Sequence, residues 1–157
     1  MKNRLYTYLA GWIFLWLPAL LLAQTINSPT AFFLMHSSGN HVAKDAQGGA
    51  VLEAADAPSP QKLTFIPDGN GYYALQSDDG QGYLSLSGQW NTSFTTDPSS
   101  AKALYAIENS GKFFIKLRCK YNNKYLGTDG TTASSAVYSD KDGTDTRHLW
   151  YLTTDVH

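Results

Sequence analysis

The sequence predicts an all-β fold of about twelve short strands, grouped into three four-stranded units. Three observations predict it. Landmarks recur at near-constant spacing along the chain. Short runs alternate apolar and polar residues, which is the period of a strand. Gly, Asn, Asp and Ser fill the gaps between runs, as turns require. Beyond residue 23, no apolar stripe at helical spacing lasts more than about two turns.

The units open on "FFLMHSSGNHVAKD", "YYALQSDDGQGYLSLSG" and "FFIKLRCKYNNKYLGTDG", with Phe32, Tyr72 and Phe113 spaced by 40 and 41 residues. These openings supply each first strand. Second strands carry His41-Val42, Tyr83-Leu84 and Tyr125-Leu126, spaced by 42 and 42. Third strands lie in "GAVLEA", "TSFTTD" and "SAVYSD", placing Val51, Phe94 and Val137 at spacings of 43 and 43. Fourth strands close on Phe65, Tyr105 and Trp150. Pro58, Pro60 and Pro98 fall between third and fourth strands, where a missing N–H does no harm. The units span residues 31–71, 72–111 and 112–157, after a short linker at 24–30. The expected core is Leu34, Val42, Val51 and Phe65 in the first unit, and Leu75, Leu84, Phe94 and Ile107 in the second. Ile115, Leu117, Leu126, Val137 and Trp150 complete it in the third.

Three such units resemble the β-trefoil. One unit cannot bury its apolar face, whereas three around a pseudo-threefold axis close a barrel and leave few edges. A two-sheet sandwich is the alternative, and it gives no reason for threefold repetition. "GYLSLSG…SFTTD" and "NKYLGTDG…AVYSD" resemble strand pairs of the fascin-like and ricin-B-like lectin group, and the chain is similar to trefoil carbohydrate-binding modules of exported bacterial proteins. The resemblance implies a polysaccharide or glycan partner, with a polysaccharide-degrading enzyme as a companion. The Gln-x-Trp ending of ricin-type repeats is missing at Phe65, Tyr105 and Trp150, so that sugar site is not carried over.

"MKNRLYTYLAGWIFLWLPALLLAQ" reads as a secretory signal over residues 1–23: Lys2 and Arg4, an apolar middle, then the small Ala23. The apolar part, Leu9 to Ala23, is short for a bilayer core of about 30 Å, so no lasting membrane span is expected. The chain is expected to be secreted or periplasmic, as a monomer. Cleavage after Ala23 leaves 134 residues, enough for one domain with a real core. Ten basic and thirteen acidic residues remain, a charge of −3, which argues against nucleic acid as partner. Cys119 is the single cysteine, so no internal disulfide holds the fold.

No catalytic constellation assembles, and the protein is read as a non-enzyme with neither cofactor nor metal. In "KFFIKLRCK", alternation puts Ile115, Leu117 and Cys119 on one face and Lys116, Arg118 and Lys120 on the other, making Cys119 a core thiol. His36, His41, His148 and His157 show no zinc-ligand spacing. "DKDGTD" misses the calcium-loop pattern, since Gly143 stands at the fourth position counted from Asp140 rather than the sixth. The adjacent Asp78 and Asp79 do not face each other across a cleft, as glycosidase chemistry demands. Two functions remain: carbohydrate binding, or protein binding in an adhesion, signalling or inhibitor role.

Differences among the units mark the candidate site. Seven of the ten basic residues beyond the leader lie in the third unit: Lys112, Lys116, Arg118, Lys120, Lys124, Lys141 and Arg147. If Leu126 and Val137 point inward, Tyr125, Gly127 and Tyr138 point outward. The expected ligand surface is therefore "NNKYLGTDGTTASSAVYSDKDG", with Tyr125 and Tyr138 as apolar faces and Gly127 leaving room. Asn123, Lys124, Asp129, Asp140 and Lys141 supply donors and acceptors. His148, read as part of the fourth strand, lines the rim. Trp90, near a hairpin tip, is a secondary candidate. Asn91-Thr92-Ser93 is a glycosylation sequon.

Overall fold

The computed structural model describes residues 25–111 and 113–155, without the side chain of Lys141; the leader at 1–23 lies outside the described residues. The strands of the first unit are β1 (Thr30–His36), β2 (His41–Lys44), β3 (Ala50–Glu53) and β4 (Leu63–Pro67). The second has β5 (Tyr73–Ser77), β6 (Tyr83–Ser87), β7 (Asn91–Thr95) and β8 (Leu104–Asn109). The third has β9 (Ile115–Cys119), β10 (Tyr125–Thr128), β11 (Val137–Lys141) and β12 (Trp150–Thr153). Single 3-10 turns, Ala101–Ala103 and Thr146–His148, lead into β8 and β12. No described helix is long and apolar enough to cross a membrane.

Six strands close a ring. β1 pairs β4, β4 pairs β5, β5 pairs β8, β8 pairs β9, β9 pairs β12, and β12 returns to β1, all antiparallel. Closure removes the edges that an open sheet would offer to other chains. The other six strands form the hairpins β2–β3, β6–β7 and β10–β11, which also join one another. Gly49 bridges Ser93, Val51 bridges Ala136, and Tyr138 lies opposite Asn91. Thr92 reinforces the last contact by donating its hydroxyl to the Val137 carbonyl at 2.7 Å.

Strand register corrects several landmarks. Met35 lies opposite His41, Gln76 opposite Tyr83, and Arg118 opposite Tyr125, so the three second-strand landmarks pair alike with their first strands. The pairs that close the ring within each unit are Phe32–Leu63, Tyr73–Tyr105 and Ile115–Trp150. Tyr73 and Ile115, rather than Tyr72 and Phe113, therefore match Phe32, and Phe113 is 72% exposed. Leu63, not Phe65, matches Tyr105 and Trp150; Phe65 lies two residues further along the same buried face. In the third strands, the residues opposite Val42, Leu84 and Leu126 are Leu52, Phe94 and Ser139. Val51 is only half-buried and Leu52 takes its expected core place. Equal spacing misled because the hairpin loops differ in length and β11 carries an extra residue.

The core fills the ring and the space beneath the hairpins. Leu34, Val42, Leu75, Leu84, Leu117, Leu126, Val137 and Trp150 are buried as expected, with Phe94, Ile107 and Ile115 packed against them half-buried. Cys119 is a buried thiol. Ile26 also joins the core, which pins the segment before β1 at that one residue while residues 27–29 stay exposed. Tight turns join the first and second strands of each unit. There His36, Ser77 and Cys119 accept at their carbonyls from Gly39, Gly80 and Asn123. All three donors have positive φ, at 92°, 70° and 56°. Glycine adopts that region freely, and asparagine tolerates it better than other side chains.

Candidate functional site

The outer face of β8, β9 and β10 brings together Glu108, Lys116, Arg118 and Tyr125. Alternation along β9 sends Leu117 and Cys119 inward, leaving Lys116 and Arg118 half-buried on the other side. Across the sheet, Arg118 has Ala106 of β8 on one flank and Tyr125 of β10 on the other. Glu108 of β8 lies opposite Lys116. These positions converge in one network. The Tyr125 hydroxyl donates to Glu108 Oε2 at 2.6 Å, and Arg118 Nε donates to Glu108 Oε1 at 2.5 Å. Arg118 Nη1 also donates to Asn123 Oδ1 at 3.0 Å, reaching the β9–β10 turn.

The electrostatics follow from these contacts. Burial pushes the Glu108 carboxyl up, but hydrogen bonds from Tyr125 and Arg118, with the charges of Arg118 and Lys116, bring it below the usual glutamate range. Tyr125 is pushed above an ordinary phenol, first by its hydrogen bond to Glu108 and then by burial. Both groups are held in one ionisation state at neutral pH, with Glu108 charged and Tyr125 neutral.

A loop braces Tyr125 from the other side. Lys116 Nζ donates to the Gly143 carbonyl at 2.6 Å and sits 5.7 Å from the centre of the Tyr125 ring. Gly143 has φ +88°, and a Cβ there would stand 2.7 Å from Tyr125 Cε2. Asp145 caps the 3-10 turn by accepting from the Arg147 backbone N–H, and pairs with the Arg147 guanidinium at 2.6 Å. Asp129 and Asp140 add to the negative field on Arg147.

The expected site residues divide accordingly. Asn123 and Asp129 are exposed; Lys124, Tyr125, Tyr138 and Asp140 are half-buried. Tyr138 lies opposite a buried Gly127, on the strand that also meets β7. β11 spends two steps, Ser139 to Lys141, against the single step from Leu126 to Tyr125 of β10. Asp140 is thus the extra residue of a β-bulge, which re-aims side chains and breaks simple alternation across the hairpin. His148 is corrected: it belongs to the 3-10 turn rather than the fourth strand, and is 1% exposed. Its ring packs 6.0 Å from that of Tyr125, within the structure rather than on a rim. Burial, and then the charge of Lys116, lower its pKa, with Asp145 opposing. Trp90 is 40% exposed, and its carbonyl accepts from the Ser139 N–H at 2.8 Å, docking the β6–β7 tip on β11.

Sequence reasoning missed Glu108, the acceptor that joins Tyr125 to Arg118. The signal was the Asn109-Ser110-Gly111 turn: folding the chain back there sets Glu108 across from Lys116. Among the described residues, no group of three or more His, Cys, Asp or Glu could hold a metal ion.

No family model and no curated protein matches the chain. Solved structures do. A designed 3-fold symmetric protein, ThreeFoil, is 14% identical, with a TM-score of 0.72 over 80% of this chain and 99% of its own. The cytolethal distending toxin of Haemophilus ducreyi is 12% identical, with a TM-score of 0.70 over 81% of this chain and 84% of that chain. A Polyporus squamosus lectin, solved bound to the human-type influenza-binding epitope Neu5Aca2-6Galb1-4GlcNAc, is 12% identical, with a TM-score of 0.66. The match covers 82% of this chain but 50% of the lectin. With its six-stranded ring and three interlocked hairpins, the chain has the β-trefoil fold.

Proposed function

We propose that this protein binds a glycan without catalysis, through the outer face of its third unit. One observation carries the reading: the Tyr125–Glu108–Arg118–Asn123 network is built on a solvent-reachable face, and the first and second units have no arginine at the position of Arg118. At the positions of Arg118 and Tyr125, the second unit has Gln76 and Tyr83, and the first has Met35 and His41. A fixed phenol, carboxylate, guanidinium and amide side by side offer donors and acceptors to adjacent hydroxyls. Likeness to a glycan-bound lectin supports the class of ligand.

In this reading the ligand lies over Asn123, Lys124 and Tyr125 and reaches Tyr138 and the bulged Asp140, with Asp129 and Lys141 at the flanks. The three units are taken as related by a pseudo-threefold axis, which the recurrence of the ring-closing pairs supports. Export follows from the basic-apolar-small order of residues 1–23, and N-terminal sequencing of the secreted protein should begin near Gln24. A glycan array tests the function. Binding of a defined set of sugars, weakened by Tyr138→Ala, is the expected result. A blank array beside a stable protein complex from the native source overturns it in favour of protein recognition.

A further inference from the structure

β9 carries more than the network at its centre. Lys116 and Arg118 stand at alternate positions on its outer face, and Lys120 follows two residues on, its backbone still bonded to the Leu104 carbonyl of the β8 strand at 2.8 Å. Successive cations on such a face are about 7 Å apart. Each outer one is propped on an aromatic ring. Lys116 Nζ lies 5.7 Å from the Tyr125 ring, and Lys120 Nζ lies 4.5 Å from the Tyr72 ring. The same arrangement recurs beyond the strand, where Lys102 Nζ lies 5.0 Å from the ring of Tyr121, which is 59% exposed. Cation–π contact orients an ammonium while leaving its charge to act outward. Two carboxylates face this row: Glu108 on Arg118, and Asp68 at 3.9 Å from Lys120. Four cations against two anions leave the row positive, on a protein whose charge beyond the leader is −3. Ala106, opposite Arg118, adds little bulk beside the guanidinium.

From this row we infer that the ligand is an acidic polysaccharide, lying along β9 with its carboxylate or sulfate groups on Lys116, Arg118 and Lys120 and its sugar rings against Tyr72, Tyr121 and Tyr125. The inference rests on the glycan reading above and gives it a chemical class. Guanidinium and ammonium groups bind such anions by charge-assisted hydrogen bonds, and an extended chain meets several at once. The opposite balance of the remaining surface sets the orientation of approach.

The test measures binding of the purified protein to polygalacturonate, dextran sulfate, neutral dextran and poly(dT) at rising salt. Binding to one or both acidic polysaccharides, weakening as salt screens the row, is expected, with uronate or sulfate distinguished by which is held more tightly. Lys120→Gln and Arg118→Gln should each weaken that binding by about five- to tenfold. Lys120→Gln should leave the melting temperature in place, so lost binding in that variant reports the ligand contact. Dextran bound as tightly as polygalacturonate, and insensitive to salt, overturns the acidic class while the glycan reading stands. Tighter binding of poly(dT) than of either acidic polysaccharide also overturns it. Failure to bind any polysaccharide, together with a blank glycan array, overturns both.

Discussion

Trp150 donates its indole N–H to the backbone carbonyl of Leu126 at 2.9 Å, inside the core. This bond joins the first residue of β12, in the ring, to β10, in a hairpin that covers it. It makes a fully buried tryptophan both filler and tie.

Trp150→Phe keeps an aromatic ring and removes the donor. The Leu126 carbonyl then loses a buried partner, and a small void opens where the indole stood. The expected loss is about 1–3 kcal/mol, read as a lower urea midpoint with little change in slope.

Gly143→Ala and Gly88→Ala separate backbone strain from steric contact. Both glycines have positive φ, +88° and +62°, so each alanine carries conformational strain of about 1 kcal/mol. At Gly88 the new methyl meets nothing within 4 Å, whereas at Gly143 it meets the Tyr125 ring. Gly143→Ala should therefore lower the melting temperature more than Gly88→Ala. It should also weaken ligand binding, because Tyr125 has to move.

Binding should respond to the β10–β11 hairpin and not to the end of β7. Tyr138→Ala and Asp140→Ala are expected to reduce glycan affinity several-fold, since each hydrogen bond contributes about 0.5–1.5 kcal/mol net. Thr95→Ala and Asp97→Ala, at the end of β7 and just beyond, should change it far less. Titration calorimetry on the four variants checks this, and equal effects would place the ligand elsewhere.

Acid should destabilise the fold below neutrality. His36, His41 and His148 are buried, and burial is the leading cause that lowers each pKa, although Glu53 opposes it at His41 and Asp145 at His148. His36 packs 5.1 Å from the Trp150 ring and feels the repulsion of His148. A group with a depressed cationic pKa stays neutral in the fold while the unfolded chain takes up a proton. Stability should hold above about pH 6.5 and fall as pH drops below it. Glu108, whose pKa is lowered, adds a further loss only below about pH 4.3. Melting temperatures from pH 8 to 5 read the profile, and His36→Asn should flatten it.

Much of the fold was legible because alternation is local. The sequence "IKLRC" separates inward Leu117 and Cys119 from outward Lys116 and Arg118 without knowing any partner strand. What alternation cannot supply is register. Leu63 and Phe65 both point inward, and only the pairing of Phe32 with Leu63 says which one closes the ring. Val51 and Leu52 are adjacent apolar residues, and the ladder alone assigns the core place to Leu52. The crowding of charge in the third unit was also legible. The arrangement of the candidate site was not, because Glu108 comes from the second unit and the Asp140 bulge shifts the β11 face. His148 read as strand because a three-residue turn capped by Asp145 leaves almost no periodic trace.

The interlocking of the hairpins also governs how the chain reaches this structure. Asn40 donates to the Thr131 carbonyl across 91 positions, Ser37 to Thr146 across 109, and Leu52 exchanges backbone bonds with Ser134 and Ser135. The first hairpin thus finds its partners only after most of the chain exists. Such non-local pairing slows folding to about the millisecond-to-second range, because distant segments must meet before their contacts reward the lost freedom. A growing chain holds its first unit without its third-unit partners until the last residues arrive.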